Sequence, residues 1–199
     1  MRLLPPAVRL YPTHMSETPF IGVLSDTHGY YDPLLDDLFA GAAHIVHAGD
    51  VGTLDILARL RELAPVTVVA GTTDLPSWGD ELPWEAEVEA LGLRILVCHI
   101  GKSLMGRRDP VAEGFDLVIS GHSHKAAVEW REETLFLNPG AAGRPRFGQP
   151  RTAAFVNVKG GRPEPHIESL DRPMWSGQRA GRQRVGEPAR MSKTRCTAR

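Results

Sequence analysis

An α/β fold of two packed mixed β-sheets, a β-sandwich flanked by helices, is what this sequence predicts, on three observations. Apolar runs of four to six residues end repeatedly at a glycine beside an acid or a histidine, as in Phe20-Ile-Gly-Val-Leu24 before Ser25-Asp26-Thr27-His28-Gly29. Between the early runs lie stretches with helical spacing. In the later part short runs follow one another, separated only by turn residues. Bounded apolar runs read as buried strands, and strands alternating with helices place their carboxyl ends on one side of a sheet.

Taken in order, the first strand is Phe20–Leu24. Residues 33–39 follow with Leu34, Leu35, Leu38 and Phe39 on one helical face, and Pro33 suits a first turn. His44-Ile-Val-His47 is the second strand and runs into Ala48-Gly49-Asp50. Residues 55–63 repeat the helical device through Ile56, Leu57, Leu60 and Leu63, and Pro65 ends it. Val66–Ala70 is the third strand and meets Gly71-Thr72-Thr73-Asp74. Trp78 to Trp84 reads as a loop whose aromatics either frame a substrate or, more simply, pack on a sheet edge.

The alternation of residues 85–90, then Leu91-Gly92 and Arg94–Cys98, signals a hairpin and a second sheet of more antiparallel character. Phe115–Ser120 leads into Gly121-His122-Ser123-His124, and short strands are expected at 128–130, 135–137, 152–158 and 166–170. Asn138-Pro139-Gly140 and residues 159–161 serve as turns.

The 199 residues, 42% of them hydrophobic, suffice for one substantial core, so one domain over 18–171 is expected. Residues 1–17 lack periodicity and are expected to be a disordered leader, with Met15 an alternative start. A net charge of −1 hides an asymmetry. Residues 172–199 hold eight basic residues against Glu187 alone, leaving 15 basic and 23 acidic residues in the body. The tail is expected to be disordered and solvated, and an acidic body does not favour duplex nucleic acid. Cys98 and Cys196 do not make a disulfide framework, and no apolar stretch approaches the ~20 residues of a membrane helix. A cytoplasmic protein is the expectation, with a small-molecule partner, no membrane, and homo-oligomerisation left open.

The chemistry-bearing residues stand at the strand ends, which in an open α/β sheet share one crevice. Asp26, His28, Asp50, His99, His122 and His124 offer oxygen and imidazole ligands for one or two divalent cations. His122 and His124 flank one serine, so in extended chain they project to one side. Two cations roughly 3.5–4 Å apart can share a carboxylate and a hydroxide that attacks phosphorus in line. Simpler readings exist for each residue alone: Asp26 as a turn acid, Asp50 as a cap, His44, His47 and His166 as ordinary core or surface histidines. Asp74 is expected to support its loop and Asn138 its turn, with His47 near enough to Asp50 to orient it.

These motifs, Asp26-x-His28, Gly49-Asp50, Gly71-x-x-Asp74, His99 after a strand and Gly121-His122-Ser123-His124, resemble in their order the calcineurin-like metallophosphoesterases. The compact length is most similar to the small bacterial and archaeal phosphodiesterase branch. The resemblance covers about residues 20–170. It implies that Asp26, His28 and His124 hold one metal, that Asp50 bridges, and that His99 and His122 hold the second. It further implies a phosphodiesterase with a metal-bridging hydroxide as nucleophile and Asp50 and His99 as catalytic residues, acting on a small phosphoester; Lys102 is added to the catalytic residues on its own chemistry, not on the resemblance. Two divalent ions are expected, Mn²⁺ first, with Fe, Ni or Zn also compatible with mixed imidazole and carboxylate donors.

Two departures from the family pattern stand out. Thr72 occupies the place of an Asn whose carbonyl ligates the second metal, and a hydroxyl is a poorer donor to a hard cation. His99-Ile-Gly-Lys102 lacks a second histidine, and Lys102 is expected to meet phosphate as a point charge. With Thr73 where other branches carry an acid-paired His, esters with good leaving groups are favoured. The competing reading is a scaffold, because the fold also resembles a eukaryotic retromer subunit that serves mainly in that role.

Overall fold

The computed structural model of the protein describes residues 18–74, 81–146 and 148–171. The expected leader, the basic tail and Trp78 lie outside those residues. Among the described residues ten strands and three short helices run in the order β1 (Phe20–Leu24), α1 (Leu34–Leu38), β2 (His44–His47), α2 (Leu54–Leu63), β3 (Val66–Val68), β4 (Glu85–Ala90), β5 (Leu93–Cys98), α3 (Gly101–Met105), β6 (Leu117–Ile119), β7 (Ala126–Arg131), β8 (Thr134–Pro139), β9 (Thr152–Lys159) and β10 (Arg162–Ser169). They form two five-stranded sheets ordered β10-β9-β1-β2-β3 and β4-β5-β6-β8-β7.

Side-chain alternation explains the layering. In β1, Ile21 and Val23 face the second sheet and meet Val46, Ile95, Val97, Leu117, Ile119, Leu135 and Leu137 in the inter-sheet core. Phe20 and Leu24 face the other way and pack with Leu35, Phe39, Ile56, Leu57 and Leu60 of the α1 and α2 regions. A strand buried on both faces must be apolar throughout, which is why β1 reads as an unbroken run. Leu96, Cys98 and Val118 turn outward from the second sheet and are covered by Leu104 of α3 and by Phe115.

The two mixed sheets with flanking helices are therefore as the sequence predicts. Three local features differ. Each sheet holds two parallel and two antiparallel pairings, so the second is not the more antiparallel of the pair. The reason is α3, which carries the chain over from β5 to a parallel β6. Its five residues are too few for a periodic signal. β3 is also shorter than its apolar run, since at Ala70 the backbone N–H turns to the Pro83 carbonyl.

Candidate metal centre

The loops that follow the strands are tied to one another by their backbones before any side chain is considered. Asp26 N–H donates to Gly49 O at 3.0 Å and His28 N–H to Asp50 O at 2.9 Å, which joins the β1 and β2 loops. In the other sheet Gly121 N–H donates to His99 O at 3.0 Å. His122 N–H donates to Asp26 Oδ2 at 3.0 Å, a bond that crosses between the sheets.

The local backbone is held in a conformation that most residues avoid. Five of the seven non-glycine residues with positive φ among the described residues are Asp26, His28, Asp50, His122 and His124. The left-handed region costs of order 1–3 kcal/mol for an L residue and persists only where the surroundings over-determine it. Asp and His are among the residues that tolerate it best.

That backbone directs side chains to one point. His124 Nε2 lies 3.2 Å from Asp26 Oδ1 and 3.2 Å from His28 Nε2. His28 Nε2 stands 3.8 Å from Asp50 Oδ2 and 3.9 Å from Asp26 Oδ1. His99 Nε2 stands 3.3 Å from Asp50 Oδ2. The donor atoms fall into two groups, Asp26 with His28 and His124, and Asp26 with Asp50 and His99. Asp26 is the member common to both. Its Oδ2 is engaged by the Ser25 hydroxyl at 2.6 Å and by His122 N–H, which leaves Oδ1 for the centre. Asp50 faces both groups as well, through the two imidazoles that flank its Oδ2.

These groups fit divalent cations on chemical grounds. The buried Asp26 Oδ1 and His99 Nε2 have no hydrogen-bond partner among the described residues, a costly state for polar atoms in a core. His99 Nδ1 meets the Ala48 carbonyl at 2.7 Å. A carbonyl can only accept, so Nδ1 carries the proton and the Nε2 lone pair of a neutral ring is presented to the centre. Lone pairs of imidazole and carboxylate facing one another at such distances repel unless a cation or a proton lies between them.

The titration behaviour follows the same crowding. Burial pushes the Asp26 carboxyl above the ordinary carboxylate range, against the Ser25 hydroxyl and the nearby imidazoles. Burial acts the same way on Asp50, but the adjacent His99 imidazole and the hydrogen bond from the Thr73 N–H overcome it and hold Asp50 well below that range. Burial pushes the His28 imidazole down; the Asp50 charge opposes this, while Arg146 lowers it further. For His99 burial also lowers the value, yet Asp50 and the Ala48 carbonyl together raise it.

The remaining expected residues lie around this cluster. His122 is exposed at the rim, its ring centroid 5.2 Å from that of His99. The Thr72 hydroxyl donates to Asp50 Oδ1 at 3.5 Å. Lys102 stands on α3 in a cavity beside His122. Asp74 supports its loop as expected, accepting from the N–H groups of Val51, Gly52 and Gly71 at 2.9–3.2 Å. Asn138 and Pro139, expected in a turn, instead end β8 opposite Ala127 and Ala126; Asn138 donates to Gly121 O and accepts from Gly140 N–H, so it braces the strand end. His47 pairs with the Thr27 hydroxyl at 2.9 Å, one residue from each of Asp26 and His28.

Four participants escape a sequence reading. Ser25 and the Ala48 carbonyl orient ligands, the Thr73 N–H donates to Asp50 Oδ1 at 2.8 Å, and Arg146 acts on His28. Two of these are backbone groups, which no residue type reveals. The other two sit in no recognisable spacing.

A buried, strained set of acids and histidines at the strand ends of a double-sheet α/β fold makes a candidate metal centre. The family model of the "Calcineurin-like phosphoesterase superfamily domain" matches residues 20–161, and the chain belongs to that superfamily. A "Probable metallophosphoesterase" of Methanothermobacter thermautotrophicus is 34% identical over 140 residues, 65% of this chain and 81% of the relative. Among solved structures, one described as a novel archaeal phosphodiesterase has a TM-score of 0.58 at 22% identity, covering 75% of this chain and 99% of its own. Vacuolar protein sorting 29 from Cryptosporidium parvum has a TM-score of 0.59 at 17% identity, covering 77% and 98%. Likeness at those identities is a likeness of fold. No helix among the described residues is long and apolar enough to cross a membrane.

Proposed function

We propose that the chain is a phosphodiesterase working through two divalent cations, Mn²⁺ first among them. The observation that carries this reading is the convergence of Asp26, His28, His99, His124 and Asp50, with unsatisfied buried donor atoms aimed at one another. Asp26, His28 and His124 would hold one ion. Asp50, His99 and Asp26 would hold the other, with His122 at its open side and the Thr72 hydroxyl turned to Asp50. Bound there, the cations supply an activated water and neutralise charge gathering on the phosphoryl oxygens.

The chain's own groups do the rest. The Ala48 carbonyl fixes the His99 tautomer, and the Thr73 N–H with the Thr72 hydroxyl holds the Asp50 carboxylate in place. Lys102 and the exposed His122 present positive or polar atoms to substrate phosphate from the α3 side. With Thr72 and Thr73 in the third loop and Lys102 closing the fourth motif, no side chain is assigned as general acid. Esters of acidic alcohols are therefore the favoured substrates.

Hydrolysis of bis-p-nitrophenyl phosphate by the full chain, with and without Mn²⁺, tests the reading. Turnover is expected only with metal, and Asp50→Ala should lower kcat/KM by about 10³-fold or more. An Asp50→Ala protein that keeps its turnover would overturn the assignment. The competing reading is a scaffold, supported by the Thr72 departure and the fold shared with vacuolar protein sorting 29. It predicts a folded protein that retains one metal and hydrolyses no ester.

A further inference from the structure

On the outer face of the second sheet, α3 leaves beside it an open cavity of about 500 Å³. Its floor is apolar: Val118 from β6, Phe136 from β8, Leu104 and Met105 from α3 and Ala127 from β7. Gly121 and His122 form one end, so the cavity begins where the rim of the metal centre stops. Its volume lies in the range of small-molecule sites, roughly 300–1,000 Å³.

The charge of this cavity is uneven. Its carboxylate, Glu129, is held by the guanidinium of Arg131 at 2.9 Å, and that guanidinium lies 4.5 Å from the centroid of the Phe136 ring. Lys102 and Lys125 also line the cavity, and neither ammonium forms an ion pair among the described residues. With Glu129 and Arg131 cancelling, the two lysines set the sign. Apolar walls with two uncompensated ammonium groups suit a ligand with an unsaturated or aliphatic body and an anionic end.

We propose that this cavity is the subsite for the organic group of the ester, and that it takes a nucleoside-sized body carrying a second anionic group. Only the position of the scissile phosphate rests on the phosphodiesterase reading. The base or aryl ring lies against Met105 and the stacked Phe136–Arg131 pair, Lys102 stays with the scissile phosphate, and the second anion meets Lys125 as a point charge. A plain alkyl phosphodiester reaches the metals without using this surface.

The test is a titration of the full chain, kept metal-free with EDTA, by thymidine 3′,5′-bisphosphate, followed by amide shifts in ¹H–¹⁵N spectra. Shifts are expected at Lys102, Lys125, Ala127 and Phe136, and inorganic phosphate should not reproduce them. Ala127→Trp, which fills the cavity from an exposed strand position, and Lys125→Gln should each weaken binding by about tenfold. If the bisphosphate moves only the amides that inorganic phosphate moves, or if neither variant changes its affinity, the subsite is refuted.

Hydrolysis of methyl p-nitrophenyl phosphate by the metal-loaded protein separates the two ideas. Turnover of that ester without bisphosphate binding in the cavity sinks the subsite alone. Cavity binding with no ester turned over under any metal supports the subsite and sinks the phosphodiesterase reading.

Discussion

Gly121 shows what one side chain would cost at this centre. A Cβ there would lie 1.9 Å from Ser25 Oγ and 2.8 Å from Asp26 Oδ2, the two atoms that settle which carboxylate oxygen faces the metals. Gly121→Ala is expected to destabilise the fold by about 2–3 kcal/mol, as overpacking does, and to weaken Mn²⁺ binding by freeing Asp26 Oδ2. Urea denaturation and metal titration of the variant check both effects; a wild-type profile in each would contradict the account. His47 makes the second prediction at this scale. It is wholly buried, and burial pushes its imidazole down to about 3. The unfolded chain takes up a proton near pH 6.5, whereas the folded chain refuses it until about 3. The stability tied to His47 is therefore complete above pH 6.5 and is lost as pH falls toward 3, at up to about 1.4 kcal/mol per pH unit. In EDTA, urea midpoints measured from pH 7.5 to 5 should fall less steeply for His47→Gln than for the parent. Parallel slopes would show that His47 is not the group responsible.

Among the elements, the loops after β1, β2, β3 and β5 and the segment after β6 work as one unit, because each is anchored to another by backbone or carboxylate hydrogen bonds. The third loop carries one of the two departures of this chain from the pattern it resembles. Thr72 reaches Asp50 Oδ1 rather than the centre, so Thr72→Asn is expected to add a carbonyl donor and raise affinity for the second metal by about tenfold. Isothermal titration with Mn²⁺ reads this directly, and an unchanged or weaker second step would remove Thr72 from the metal site. Legibility differs from one element to the next. β1, β2 and β5 stood out in the sequence because burial on both faces, or nearly so, demands uninterrupted apolar runs. α3 did not, since its formation depends on Leu104 covering the outer face of the second sheet rather than on its own five residues. The order of the motifs along the chain pointed to the six acid and histidine candidates. The left-handed backbone of five of them, all but His99, was invisible, because it is imposed by loops that meet only after the sheets have stacked.

For the whole molecule, the two sheets close over one apolar layer and set their chemistry at one rim, so metal binding and folding should be linked. A cation that binds only the folded state at a hundred times its Kd adds about 2.7 kcal/mol. For a domain of this size Mn²⁺ should raise Tm by roughly 5–10 °C over the EDTA-treated protein. The shift should be lost in Asp26→Ala, whose carboxylate serves both ligand groups. Equal melting with and without metal in the parent would separate the cluster from any cation.

The sequence by itself determined the double-sheet fold, the order of its early elements and the residue types gathered at the strand ends. These follow from periodicity and side-chain chemistry, which act over a few neighbours. Only the tertiary structure decided which oxygen of Asp26 faces the centre, which ring nitrogen of His99 is free and that Lys102 belongs to a cavity shared with Lys125. Each of those depends on a partner from a distant part of the chain: the His122 N–H, the Ala48 carbonyl, and the packing of α3 beside β7 and β8. Contacts of that kind exist only once the sheets have been brought together, so no local pattern records them.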